Sequence, residues 1–111
     1  MTQQVMFLDP AEVLEKIKDG SAYVIDVREP HEYAEAHIAG VALMPLSQFD
    51  PSAVSPPEDK TLIFHCRSGR RCGMAAERLV DAGYTGKIYR LAGGLLAWTA
   101  DGLPLETGAS N

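Results

Sequence analysis

Positive charge is scarce in this sequence. Ten lysines and arginines stand against fifteen aspartates and glutamates over 111 residues, a net charge of −5 at pH 7. That balance excludes a general nucleic-acid binder, because affinity for phosphate backbones needs a basic face. Cysteine is scarce too, and two residues cannot build a disulfide scaffold. Two cysteines and three histidines without paired spacing give no metal-site pattern, and nothing in the chain requires a cofactor. Long apolar runs are missing, so no membrane span is expected. The first residues, Met1 to Phe7, show neither the basic stretch nor the apolar core of a secretion signal. A cytoplasmic protein with reduced thiols is the expectation. Apolar content of 46% and charged content of 23% are ordinary for a globular protein, and the length suits one domain over residues 1–111.

What is present alternates between strand and helix patterns. Asp9-Pro10-Ala11-Glu12 combines an N-cap, a first-turn proline and a capping-box acid. Val13, Leu14 and Ile17 then give one apolar face, and Gly20 ends that helix. Strands are expected at 23–27, 41–44, 61–65 and 87–91. Helices are expected after Pro30, from Arg70 to Ala82, and from Gly93 onward. Residues 51–57 read as a proline-rich surface crossing, and residues 105–111 as a flexible tail. The alternation predicts an α/β fold with a parallel sheet covered on both faces.

One segment stands out. The β-favouring run Thr61-Leu62-Ile63-Phe64-His65 delivers Cys66 into the turn Arg67-Ser68-Gly69-Arg70-Arg71, and a helix pattern follows at once. A thiol there sits at a helix N-terminus, where unpaired N–H groups favour negative charge. Three arginines strengthen that field, and such surroundings lower a cysteine pKa toward the reactive thiolate. The loop lies at the carboxyl end of a strand, where parallel sheets bind ligands. These features predict an activated thiolate with an anion-binding cradle. They leave open sulfur transfer, phosphate ester hydrolysis and redox sensing.

Three stretches together resemble a single-domain rhodanese, a sulfurtransferase, along nearly the whole chain. They are Ile25-Asp26-Val27-Arg28-Glu29-Pro30-His31-Glu32-Tyr33 followed by His37-Ile38-Ala39-Gly40-Val41, the loop Cys66 to Arg71, and Leu91-Ala92-Gly93-Gly94-Leu95-Leu96-Ala97-Trp98. The resemblance implies a three-layer fold around a mainly parallel sheet of about five strands. It implies that Cys66 takes a sulfane sulfur from a small anionic donor such as thiosulfate. The persulfide would then pass that sulfur to cyanide, a cellular thiol or a protein acceptor. Phosphatases and arsenate reductases of the same fold have one more residue between cysteine and arginine. Here Arg71 stands five positions after Cys66, and position 72 is a cysteine, which favours sulfur over phosphate. A non-catalytic binding or sensing module is the third reading, and retention of Cys66 with the arginines counts against it.

The loop's own chemistry and the resemblance together distribute roles. Backbone N–H groups from Arg67, Ser68, Gly69, Arg70, Arg71 and Cys72 would stabilise the thiolate and the persulfide sulfur. Arg67 and Arg70 would attract the donor, while Arg71 would brace the loop through a carboxylate. Cys72 continues the apolar stripe of its helix with Ala76 and Leu79, so its side chain should face the sheet, against the sharper idea of a resolving cysteine. Asp26 and Arg28 read as structural support, a buried carboxylate holding arginine or backbone N–H groups. His65, Tyr33 and Trp98 read as core, and His31 and His37 as packing and capping positions.

Overall fold

The computed structural model describes residues 4–108. Five strands form one sheet: β1 (Val5–Leu8), β2 (Ala22–Asp26), β3 (Ala42–Leu43), β4 (Thr61–His65) and β5 (Ile88–Leu91), in spatial order β1-β5-β4-β2-β3 with every pairing parallel. Three α-helices lie between strands, α1 (Pro10–Lys18), α2 (Pro30–Glu35) and α3 (Arg70–Asp81), and a fourth, α4 (Gly94–Ala100), follows β5. Among the described residues no helix is long and apolar enough to cross a membrane.

Both sheet faces are buried. Leu62 and Phe64 of β4 point toward α3 and pack with Cys72, Ala75, Ala76 and Leu79. Their neighbour Ile63 points the other way, toward Val13 of α1 and Leu95 and Trp98 of α4. This period-two alternation with apolar residues on both sides explains why the parallel strands read as continuous apolar runs. The result is the parallel sheet covered on both faces that the alternating pattern implied, and the three-layer α/β fold that the resemblance implied.

The capping box at Asp9 forms as expected, with Glu12 accepting from the Asp9 N–H. Three local expectations change. A strand at Val5–Leu8 was not among those predicted. It is four residues long, lacks alternation, and owes its existence to pairing with β5, where Val5 stands opposite Ile88. The strand expected at 41–44 shrinks to two residues at the sheet edge. The crossing at 51–57 contains a 3₁₀ turn, Pro51–Ala53, whose Asp50 side chain accepts from Ser52, and buried Val54 anchors it to the α3-side core.

The expected tail is held by the body as far as Gly108. His37 and Glu106 exchange two backbone hydrogen bonds at 2.8 and 2.7 Å, Gly108 donates to the Ala34 carbonyl, and Leu105 packs on the α1–α4 side. The reason is partly apolar and partly polar: Leu103 and Leu105 pack on the core between α1 and α4, and the buried Trp98 indole N–H donates to the Pro104 carbonyl at 2.9 Å. Residues 109–111 lie outside the described residues.

Candidate active site

β4 ends at His65, and the chain turns through Cys66 to Gly69 before α3 begins at Arg70. Gly69 is the N-cap residue at φ +111°, a region that L side chains rarely adopt, so glycine permits the tight turn. The turn aims backbone donors inward. The Gly69 N–H reaches the Cys66 sulfur at 3.1 Å and the Cys72 N–H reaches it at 3.4 Å. Cys66 itself is only 1% exposed.

Burial alone would raise a thiol pKa, yet that of Cys66 is lowered from 9.0 to about 5. The largest cause is the Cys72 thiol beside it, followed by the backbone N–H groups of Cys72, Gly69 and Arg71. Cys72 responds in the opposite sense: the neighbouring Cys66 sulfur and burial push its pKa up, so it stays a neutral thiol. Its Sγ lies 3.1 Å from the Gly69 carbonyl oxygen, a second acceptor for the same proton. Cys72 does lie on the buried stripe with Ala76 and Leu79. Because that stripe starts directly under the loop, the sheet-facing position is also the floor of the cradle.

The loop is fastened on several sides. Arg71 makes a two-pronged pair with Glu32 of α2, at 2.7 and 2.8 Å. The guanidinium holds the Glu32 carboxyl down to about 2 and is itself raised by it. This is the carboxylate brace expected of Arg71, and its partner is now assigned. The first turn of α4 closes another side, where the Leu95 N–H donates to the Cys66 carbonyl at 2.8 Å and the Leu96 N–H to the Arg67 carbonyl at 3.0 Å. Gly94 makes that approach possible: a Cβ there would fall 2.5 Å from the Arg67 oxygen, and its φ is +61°. Arg67, Ser68 and Arg70 are exposed on the outer face of the loop.

Below lies a buried polar group. Asp26 accepts the Arg28 backbone N–H at 3.0 Å and three guanidinium contacts of 2.7 to 3.1 Å, and Arg28 also donates to the Ala36 carbonyl. His65 Nε2 lies 3.4 Å from the same carboxylate, too poorly aligned to bond, and burial keeps the ring neutral. Asp26 and Arg28 thus form a buried, mutually compensated pair that makes no hydrogen bond to the Cys66 sulfur, whose donors are the Gly69 and Cys72 N–H groups. His37 stacks on Tyr33 at 3.8 Å between ring centres and bonds the Tyr33 carbonyl, a packing role.

Sequence reasoning missed Arg90, which reaches up from β5 and donates to the Gly69 carbonyl at 2.6 Å and to the Cys72 sulfur at 3.5 Å. A charge interrupting the apolar run Ile88-Tyr89-Arg90-Leu91 was the available signal.

The chain is similar to known proteins. A protein of Synechocystis without assigned function is 38% identical over 103 residues, covering 93% of this chain, and the chain spans 57% of that relative's length. A protein of Allochromatium vinosum named sulfurtransferase is 33% identical over 82 residues, 74% of this chain and 76% of its own. The crystal structure of a rhodanese-related protein from Thermoplasma volcanium matches with a TM-score of 0.76 at 29% identity, over 91% of this chain and 97% of that one. The family model of the rhodanese-like domain matches residues 9–101, the stretch that holds Asp26, Glu32, the Cys66 loop, Arg90 and Gly94, and the chain belongs to that family.

Proposed function

We propose that the chain is a sulfurtransferase that moves a sulfane sulfur from thiosulfate, or a related anionic donor, to a thiol or cyanide acceptor through a Cys66 persulfide. The observation that carries this reading is the Cys66 sulfur at the centre of a six-residue loop, receiving N–H bonds from Gly69 and Cys72. Membership of the rhodanese-like family and the sulfurtransferase name of the Allochromatium relative support it.

The chemistry follows from the charges. The Cys66 thiolate attacks the sulfane sulfur of thiosulfate, the S–S bond to the sulfonate breaks, and sulfite leaves with the electron pair. The product is a Cys66 persulfide whose outer sulfur carries the negative charge. The N–H groups that favoured the thiolate now face that sulfur, so the cradle stabilises charge where the reaction places it. A nucleophilic acceptor then attacks the outer sulfur, the bond to Cys66 breaks, and the cysteine departs as a thiolate. A cradle that lowers the cysteine pKa also makes it a good leaving group. Arg67 and Arg70, exposed at the rim, attract the anionic donor. The short loop suits a single sulfur atom, whereas a tetrahedral phosphate needs a wider ring of donors.

Thiosulfate:cyanide turnover assayed beside aryl phosphate hydrolysis tests the reading. Sulfur transfer should dominate and vanish in Cys66→Ala. Full transfer by Cys66→Ala with Cys72 intact would remove the assignment.

A further inference from the structure

Arg90 is a half-buried cation with no carboxylate partner among the described residues. Its guanidinium is held by three unlike contacts. Nη2 donates to the Gly69 carbonyl at 2.6 Å, Nε donates to the Cys72 sulfur at 3.5 Å, and Cζ lies 4.5 Å from the centre of the Phe7 ring. Phe7 stands beside Arg90 in the β1–β5 pairing and is 59% exposed, so the ring covers the guanidinium from the solvent side. On α3, Gly73 leaves the space that the head group fills: a Cβ there would fall 2.8 Å from Nη2 and 3.0 Å from Cζ.

The two residues Arg90 holds are the two whose N–H groups point at the Cys66 sulfur. We propose that Arg90 is a positioning residue for the sulfur cradle, fixing Gly69 through its carbonyl and Cys72 through its sulfur so that both N–H donors stay aimed at Cys66. The planar fork of arginine suits two acceptors at different heights, which a lysine point charge cannot bridge. Bonding to the Gly69 carbonyl also polarises the following peptide, at the start of α3. Arg90 and Arg71 thus act from opposite sides, Arg71 through Glu32 of α2 and Arg90 through β5.

The proposal rests on reading Cys66 as the reactive nucleophile, and its test uses alkylation, which involves no sulfur donor. The titratable and charged groups on the elements around Cys66 are Arg67 and Arg70 of the loop, Cys72 and Arg71 on α3, the neutral His65 ending β4, and Arg90 on β5. Of these the variants alter Arg90 alone. The pH dependence of iodoacetamide alkylation at Cys66 is measured in wild type, Arg90→Gln, Arg90→Lys and Gly73→Ala, alongside thermal melting. Gly73→Ala keeps the guanidinium in the chain and favours the helix, but displaces the head group. Arg90→Gln and Gly73→Ala should each raise the midpoint by about one unit, with Arg90→Lys in between. Sulfur transfer should lose turnover rather than donor affinity. An unmoved midpoint in either Arg90→Gln or Gly73→Ala, whatever the melting temperature does, overturns the proposal. Full restoration by Arg90→Lys would make Arg90 only a nearby charge and overturn it as well.

Discussion

A thiol that is 1% exposed ought to stay protonated, because burial disfavours the charged form. Cys66 is lowered to about 5 because the donors that replace water are already in place. Alkylation of Cys66 should therefore follow a titration with its midpoint near 5. Cys72→Ala should raise that midpoint by about one unit, and Cys72→Ser by less, since a hydroxyl still donates. A midpoint near the ordinary thiol value of 9.0 would contradict the cradle. The folded value lies below the unfolded one, so the thiolate's contribution to stability is complete above about 9, declines as pH falls, and is gone below about 5. At this scale the sequence was informative where the argument was local. A strand, a glycine turn and a helix start in one stretch of chain placed Cys66 and its loop. Glu32 as the partner of Arg71, 39 positions away, and Arg90 as the partner of Gly69, 21 positions away, depend on tertiary contact that no local pattern carries.

Elements set how tightly the loop is held. The α4 start lies so close to the Cys66 and Arg67 carbonyls that Gly94 has no room for a side chain. Gly94→Ala should lose about 2 to 4 kcal/mol through clash and positive φ together. In a thermal melt this is a drop on the order of 10 °C, and a melt within about 2 °C of wild type would show that the two segments part easily. Loop length is the second element property. A glycine inserted after Ser68 should widen the ring of N–H groups, so thiosulfate turnover falls and an aryl phosphate or arsenate begins to compete. Unchanged thiosulfate kinetics in the insertion variant would show that ring size does not select the anion. The helices and central strands were legible because caps, glycines and apolar runs agree with one another. β1 was not, since an apolar tetrapeptide becomes a strand only when β5 is there to pair with it.

The whole molecule carries a net charge of −5, yet its proposed donor is an anion. Attraction must come from the local field of Arg67 and Arg70 on the exposed face of the loop. Arg67→Ala and Arg70→Ala should raise KM for thiosulfate more than they lower turnover at saturation, because the attraction acts in ground and transition states alike. The difference from wild type should shrink with added salt, as exposed charges are screened over roughly 10 Å at 0.1 M. A KM that ignores both substitution and salt would remove these arginines from donor capture. The most direct test of the central claim is the intact mass of the protein before and after exposure to thiosulfate, followed by addition of a thiol or cyanide. The account predicts one added sulfur, mapped by peptide analysis to Cys66, absent from Cys66→Ala, and discharged when the acceptor arrives. Thiosulfate turnover with no sulfur ever found on Cys66, or with the sulfur carried on Cys72, would contradict it.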